Sequence, residues 1–160
     1  MGPNGGGDIH GAEAAATGLE PSDASALKVL VGDNDEATLN LLVDMLEVSG
    51  CEVLTARSGL DVIAEAINFG PHLIILEGKL PGMDGWSVCS VLSDVLEDTP
   101  LVFLSTQCQG DDFVRAKEHG ASCCIRKPFG MGDLMKIVEP LSADLDRANR
   151  QSLLRGLDAD

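Results

Sequence analysis

The sequence predicts an α/β fold, with a parallel five-stranded sheet between two layers of helices. Two observations support this prediction. From residue 26 onward, short apolar segments typical of strands alternate with amphipathic segments typical of helices, and the links between them are short. In addition, the apolar run from Leu73 to Leu76 shows no polar alternation and is too short for a helix, which is typical of a strand buried on both faces.

Five segments have the length and composition of strands. The third is followed at once by Glu77 and by a loop that contains Pro81, Gly82 and Gly85. Glu77 is therefore predicted at the carboxyl end of a central strand, where ligands and chemistry collect in open α/β sheets. The predicted strands are residues 27–32, 51–56, 72–76, 101–105 and 122–126.

A helix is predicted after each strand. The first, residues 35–48, ends before Gly50, which suits a C-terminal cap, and the second, residues 59–68, ends before Gly70 and Pro71. The third covers residues 86–96, and the fourth, residues 111–119, opens with two acids and ends at Gly120. The fifth covers residues 131–141. Apolar residues recur at helical spacing on one face of four of them: Leu41, Leu42, Met45 and Leu46; Val62, Ile63 and Ile67; Val88, Val91, Leu92 and Val95; Leu134, Ile137, Val138 and Leu141.

Five strand–helix units of this size restrict the topology. Right-handed crossovers leave two common strand orders, and the flavodoxin-like order 2-1-3-4-5 is the more compact. We therefore predict a flavodoxin-like (βα)5 three-layer sandwich, whose crevice lies where the first and third strands end. The residues at those two ends are Asp33, Asn34 and Asp35 on one side and Glu77 on the other, so the predicted crevice is acidic.

The chain length suits one domain with two tails. Residues 1–25 combine glycine, alanine and scattered acids with few apolar anchors, so we expect a disordered tail, and His10 within it is interpreted as incidental. Residues 26–142 are predicted to form the folded domain. Residues 143–160 are predicted to form a C-terminal extension that is helical or disordered.

Composition narrows the class of partner. With 11 basic and 26 acidic residues, the formal net charge is −15, which disfavours binding to nucleic acid and to anionic membranes. No apolar run is long enough to cross a membrane, and we expect a cytoplasmic protein whose partners are proteins or cations. The five cysteines, at positions 51, 89, 108, 123 and 124, lack paired metal spacing, and we interpret them as packing residues.

The residues at the strand ends indicate the chemistry of the crevice. No glycine-rich phosphate loop follows the first strand, and the carboxylates there would repel a flavin or nucleotide phosphate. Carboxylates do suit Mg²⁺, which prefers oxygen ligands. Ser105 ends the fourth strand and Lys127 follows the fifth. A hydroxyl and an ammonium beside carboxylates could hold a phosphoryl group bridged by a metal ion.

Four segments in this order, GDND, LEGKLPGMDG, LST and KPF, resemble the receiver domain of two-component response regulators over residues 27–141. The resemblance implies an acidic pair at Asp33 and Asn34, the phosphoacceptor aspartate at Glu77 and a metal-ligating backbone carbonyl at Lys79. It further implies the switch hydroxyl at Ser105, an aromatic switch position at Cys124 and the phosphoryl-contacting lysine at Lys127.

Three positions depart from the pattern of the family. Glu77 is longer than aspartate by one carbon–carbon bond of about 1.5 Å, and a misplacement on the order of 1 Å can cost about 100-fold in an in-line reaction. Asn34 lacks the second carboxylate, so Mg²⁺ binding by Asp33, Asn34, Glu77 and the Lys79 carbonyl is expected to be weak or absent. Cys124 cannot act as an aromatic switch. We therefore predict a non-enzymatic pseudo-receiver that acts by phosphorylation-independent protein–protein interaction.

The resemblance also indicates where a partner would bind. Receivers usually signal through a face that corresponds to residues 111–141, and this part of the chain carries Arg115, Lys117, Arg126 and Lys136. A lasting Glu77–Lys127 ion pair could adopt, without phosphate, an arrangement like the phosphorylated one. Between an active-like and an inactive-like form of the domain, we favour the active-like one. The alternative for the face itself is a solvated surface of mixed charge without a partner.

Other interpretations remain open at this point. The chain could be a working phosphorelay receiver that uses Mg²⁺, or a flavodoxin-like binder of a small ligand. Residues 33–35 could merely cap the first helix, and Glu77, Ser105 and Lys127 could lie in solvated turns. Trp86 is expected to be half-buried near the crevice, while His72 and His119 are assigned structural positions.

Overall fold

A computed structural model of the chain describes residues 26–106 and 111–158, with the side chains of residues 111–113 and 158 left out of the description. The predicted disordered tail, with His10, and Cys108 lie outside the described residues. Five parallel strands form one sheet in the order β2-β1-β3-β4-β5, which confirms the predicted flavodoxin-like topology. The strands are β1 (Lys28–Gly32), β2 (Glu52–Ala56), β3 (Leu73–Glu77), β4 (Leu101–Ser105) and β5 (Cys123–Arg126).

The three central strands are the most apolar and the most buried. β1, β3 and β4 each have four consecutive buried residues, whereas the edge strands β2 and β5 each have one. Because successive side chains point to opposite faces, each central strand supplies both layers of the core. Val29, Val31 and Ile75 pack on one side of the sheet, while Leu30 and Ile74 pack on the other.

Helices follow the strands as the sequence predicts. In the first three helices, the N-cap side chain accepts a hydrogen bond from the backbone N–H three residues later, which satisfies a donor that the helix leaves free. These pairs are Asp35 with Thr38, Ser58 with Asp61, and Asp84 with Ser87. The helices are α1 (Glu36–Val48), α2 (Gly59–Phe69), α3 (Gly85–Val95), α4 (Asp111–Glu118) and α5 (Met131–Asp158).

Two hydrophobic clusters lie on opposite faces of the sheet and complete the three layers. α1 and α5 cover one face through Leu39, Leu42, Leu46, Leu134 and Val138. α2, α3 and α4 cover the other face through Val62, Ala66, Val88, Leu92 and Ala116.

The last helix is longer than the sequence predicts. It passes through Pro140 and continues to Asp158, whereas the apolar pattern predicts a fifth helix of residues 131–141. The continuation agrees with the helical alternative predicted for residues 143–160 as far as Asp158. Leu141 and Leu145 pack against the α1 side of the core, and this packing supports the helix beyond the proline. Farther along, Leu153 and Leu157 are exposed.

The four described cysteines are two buried core residues and two partly buried residues that pack against the core. Cys51 and Cys89 are buried free thiols, and burial raises the pKa of both, that of Cys89 to about 11, as expected for packing rather than reactivity. Cys123 is a half-buried free thiol. Cys124 packs against the core on the α2–α3–α4 side, as interpreted, and it is also disulfide-bonded, which the interpretation did not include. Among the described helices, none has both the length and the apolar composition needed to cross a membrane.

Candidate functional site

Three charged side chains meet at the carboxyl edge of the sheet. Asp33 follows β1, Glu77 is the last residue of β3, and Lys127 follows β5. The Lys127 Nζ donates to Glu77 Oε2 at 2.5 Å and to Asp33 Oδ2 at 3.2 Å. Sequence reasoning placed all three at strand ends, and the parallel sheet brings them into one cluster, hereafter the acid–lysine site.

The remaining carboxylate oxygens of the acid–lysine site also accept hydrogen bonds. Asp33 Oδ1 accepts from the backbone N–H of Asp35 at 2.9 Å. Glu77 Oε1 accepts from the N–H groups of Gly78 at 2.6 Å and Lys79 at 3.4 Å. Asp33 is 1% exposed, so its charge depends on these partners rather than on water.

The surroundings of Lys127 favour its charged form. Partial burial alone would lower its pKa, but the hydrogen bond to Glu77 and the charges of Asp33 and Glu77 outweigh burial, so the pKa of Lys127 is raised. The backbone also fixes this residue, because its N–H donates to the carbonyl of Ser105 at 2.8 Å. Lys127 therefore does not lie in a solvated turn.

The three residues that follow β1 have different roles. Asp33 enters the acid–lysine site, whereas Asp35 caps α1 by accepting from the backbone N–H and the hydroxyl of Thr38. The Asn34 side chain is exposed and takes no part in the hydrogen bonds that join Asp33 to Lys127. The capping interpretation is therefore confirmed for Asp35. Asp33 lies beside Lys127, and the acidic-pocket role of Asp33 and Asn34 stays a prediction.

Of the two proposed switch positions, Ser105 contacts the backbone of Lys127, whereas Cys124 lies three residues before Lys127 in β5. Ser105 is the last residue of β4 and is partly exposed. Cys124 lies in the edge strand β5, opposite Phe103 in the β4–β5 register, and is partly buried. Lys79 is exposed and directs its backbone N–H, rather than its side chain, at the Glu77 carboxylate.

A glycine fixes the position of α3 against the end of β3. The Gly85 N–H donates to the Gly78 carbonyl at 2.9 Å, and a Cβ at Gly85 would lie 2.4 Å from the Glu77 carbonyl oxygen. No side chain fits in that space. The first turn of α3 is therefore in direct contact with the backbone of the acid–lysine site.

Trp86, the next residue, is half-buried as predicted and lies at the centre of a cluster that sequence reasoning missed. Its ring stacks on Phe103 with centroids 4.4 Å apart, and the Arg115 guanidinium lies 4.6 Å from its ring centroid. The His119 ring is 5.5 Å away. These contacts join three separate elements, and nothing local in the sequence signals them.

The donor set for a metal ion is limited. Among residues 26–106 and 111–158, no group of three or more histidine, cysteine, aspartate or glutamate side chains is arranged to hold a metal ion. The two acids that come together at the sheet edge, Asp33 and Glu77, are both paired with Lys127, which lies between them. A divalent cation would have to displace this ammonium before it could bind both carboxylates.

Comparisons with known proteins agree on one family. A family model described as "Response regulator receiver domain" matches residues 29–139. The transcriptional regulatory protein PrrA of Mycobacterium leprae is 36% identical over 117 residues, which cover 73% of this chain and 50% of the relative. Protein PilG of Pseudomonas aeruginosa is 25% identical over 118 residues, 72% of this chain and 87% of the relative. The chain thus spans about half the length of the PrrA relatives it matches.

Solved structures give the same picture. The chemotaxis response regulator CheY4 of Vibrio cholerae matches with a TM-score of 0.68 and 25% identity, covering 72% of this chain and 98% of that one. A putative response regulator from Chloroflexus aurantiacus matches with a TM-score of 0.69 and 26% identity, covering 74% of this chain and 98% of that one.

Proposed function

This chain belongs to the response regulator receiver domain family, and we propose that it is an atypical member, a pseudo-receiver that acts by protein–protein interaction without a phosphorylation cycle. Because the chain belongs to this family, we do not propose the alternative of a flavodoxin-like binder of a small ligand. One observation carries the proposal. The Glu77 carboxylate forms an ion pair with the Lys127 ammonium, with 2.5 Å between Oε2 and Nζ. The group expected to contact a phosphoryl oxygen therefore already has an anionic partner.

The length of the Glu77 side chain supports this proposal. Both of its oxygens are engaged, one with Lys127 and the other with the N–H groups of Gly78 and Lys79. Attack on a phosphoryl donor would require a free oxygen in line with the leaving group. The engaged carboxylate would first have to give up a charge-assisted hydrogen bond, which is among the stronger interactions in proteins.

The arrangement around Asp33 supports weak Mg²⁺ binding. Asp33 is buried and has a hydrogen bond on each oxygen, while the neighbouring Asn34 is exposed and uncharged. Mg²⁺ demands near-ideal octahedral geometry and gains most from paired carboxylates. If the ion binds, Asp33, Asn34, Glu77 and the backbone carbonyl of Lys79 are the groups that would hold it, and it would supply charge neutralisation for a phosphoryl group.

We propose residues 111–141 as the surface for a protein partner. Four basic side chains in this part of the chain, Arg115, Lys117, Arg126 and Lys136, are exposed in a protein of net charge −15. These basic groups offset the acids of the same segment, so this region is nearly neutral and repels an acidic partner less than the rest of the acidic chain does. The proposed action is binding, and no reaction is assigned to the chain.

A specific observation keeps a second candidate open, a phosphorelay receiver that accepts a phosphoryl group with Mg²⁺. Asp33 and Lys127 lie within hydrogen-bond distance of one another at the carboxyl edge of the sheet, and Ser105 ends the strand between β3 and β5. These groups would assist phosphoryl transfer if the Glu77–Lys127 pair opened.

Incubation with acetyl phosphate and Mg²⁺, followed by intact-mass analysis after an acid quench, separates the two candidates. We expect no phosphoryl adduct on the native chain and an adduct on the Glu77→Asp variant, in which the carboxylate is shortened. A Glu77→Gln variant reports any transfer to a neighbouring aspartate. A stable or transient adduct on the native chain would overturn the pseudo-receiver proposal.

A Mg²⁺ titration tests the proposed weak metal binding without a phosphoryl donor. Trp86 is the one tryptophan of the chain and lies beside the Glu77–Gly78 backbone, so its emission reports the site. We expect little or no response from the native protein and a stronger response from Glu77→Asp. Equal, tight binding by both proteins would contradict this expectation.

A further inference from the structure

The face of α3 that meets α4 carries three contacting side chains at helical spacing. The Trp86 ring lies under the Arg115 guanidinium, with 4.6 Å between Cζ and the ring centroid. One turn later, the Cys89 Sγ donates to the His119 carbonyl at 3.2 Å. Two turns later, the Ser93 Oγ lies 3.4 Å from the same carbonyl, although its hydroxyl is closer to the Ser90 carbonyl, at 3.0 Å. A single stripe of α3 therefore holds the carboxyl end of α4.

The fit between these two helices leaves little space. Gly120 has a φ of +99°, and a Cβ there would lie 2.5 Å from the Ser93 Cβ. Ala116 faces the core and is 1% exposed. Since α4 has 8 residues, it is too short to be stable as an isolated helix, and its position depends on these tertiary contacts.

The other end of α3 touches the acid–lysine site. A Cβ added to Gly78 would lie 3.7 Å from the Trp86 Nε1, and Gly85 packs directly on the Glu77 carbonyl. The Trp86 ring also stacks on Phe103, which precedes Ser105 by two residues in β4. The Trp86 ring thus lies next to the backbone of the site on one side and contacts α4 on the other.

We propose that Trp86 is a positioning residue that couples the state of the Glu77–Lys127 pair to the position of α4. The route runs through the first turn of α3 and is separate from the Ser105 and Cys124 positions that the family resemblance indicates. This inference deepens the proposed function and rests on it, because α4 belongs to the proposed partner surface.

Close packing gives the route its physical basis. If the Glu77–Gly78 backbone moves, Gly85 must move with it, since there is no free space between them. The Trp86 ring then shifts relative to Arg115, whose guanidinium is exposed and is held there by a cation–π contact. A change at the site therefore alters how firmly α4 is held.

Hydrogen exchange of the backbone amides of residues 114–119 tests the coupling, in the absence of Mg²⁺ and of any phosphoryl donor. In the native background, we expect Glu77→Gln to raise these exchange rates by about threefold, the scale of one cation–π contact. In a Trp86→Leu background, the same substitution is expected to have no further effect. An equal Glu77→Gln effect in both backgrounds, or no effect in the native one, would overturn the proposal.

A second pair of variants answers the question even if Trp86→Leu unfolds. Arg115→Gln removes the cation above the ring and is expected to raise the same exchange rates by about threefold and to abolish the response to Glu77→Gln. Lys117→Gln removes the same charge about 200° around the helix and is expected to leave that response intact. Equal behaviour of the two variants would refute a role for the Trp86–Arg115 contact. Because no phosphoryl group is present, this result is independent of whether the native chain forms an adduct.

Discussion

Replacement of Lys127 by methionine tests whether the ion pair is a real determinant of stability. Methionine keeps most of the volume of the side chain and removes the ammonium that Asp33 and Glu77 share. The two acids would then face one another without a cation between them. Asp33 is the more severely affected, because its side chain is only 2% exposed.

The size of the effect follows from burial. Removing one partner of a buried ion pair costs about 3–5 kcal/mol, because the other charge is left uncompensated. The Lys127 and Glu77 side chains retain 18% and 17% exposure, so we expect the lower end, about 3 kcal/mol. Glu77→Gln is the matched control. It leaves Asp33 paired with Lys127, and the amide oxygen can still accept from Gly78, so its cost should be at most about 1 kcal/mol.

The raised pKa of Lys127 adds a pH dependence with a definite sign. The folded state holds the lysine proton more tightly than the unfolded state, whose pKa is near 10.5. The contribution of the pair is therefore complete below pH 10.5 and is lost as the pH rises through the folded-state value. The stability difference between the native protein and Lys127→Met should shrink in that range.

Urea unfolding followed by Trp86 emission and by far-ultraviolet circular dichroism measures both quantities. The native protein, Lys127→Met and Glu77→Gln are compared at neutral pH, and the first two again above pH 10.5. If Lys127→Met lies within about 0.5 kcal/mol of the native protein, or if Glu77→Gln is equally destabilising, the ion pair does not have the role argued for it.

Two further predictions concern His72 and Gly85. Burial and the charge of Lys28 lower the pKa of His72, whose Nδ1 accepts a hydrogen bond from the Lys28 N–H at 2.9 Å. The contribution of neutral His72 to stability is therefore present above about pH 6.5 and is lost as the pH falls. From pH 7 to pH 5, the urea midpoint of His72→Asn should fall less than the midpoint of the native protein. An equal fall in both proteins would contradict this prediction. Gly85→Ala should cost about 1–3 kcal/mol, because its Cβ would lie 2.4 Å from the Glu77 carbonyl oxygen. Gly132→Ala, with no atom within 4 Å, should be neutral or stabilising by up to about 1 kcal/mol, and similar unfolding curves for the two variants would refute the packing argument.

The fold could be predicted from the sequence because each strand carries its own local signal. The apolar runs of β1, β3 and β4 are short, continuous and bounded by polar or turn residues, and the helices between them leave few ways to connect parallel strands. The same logic located the site, since residues at the carboxyl ends of neighbouring parallel strands must be close together. Asp33, Glu77 and Lys127 were found in this way.

Local sequence patterns do not predict the contacts between segments that are far apart in the chain. The local pattern alone does not distinguish Asp33 from Asp35. The family resemblance assigns Asp33 to the pocket, and the turn after β1 decides that Asp35 caps α1. The cluster around Trp86 joins residues far apart in the chain, so it has no periodic signature. The continuation of α5 past Pro140 depends on whether the core offers a surface to Leu145, which is a property of the assembled protein.

The extra methylene of Glu77 explains why several features of the site occur together. β3 and β5 are not neighbours, because β4 lies between them, and neighbouring strands are about 4.8 Å apart. A carboxylate after β3 can meet the ammonium after β5 only if the two side chains together span about twice that distance. Glu77 reaches Lys127 with one oxygen while the other holds the N–H groups of its own loop. An aspartate would end about 1.5 Å short, so without a movement of Lys127 the 2.5 Å contact would open to a gap of about 4 Å. The longer acid fills that gap itself, so the reach of one side chain accounts for the closed pair and for the Mg²⁺ and phosphoryl responses expected of Glu77→Asp.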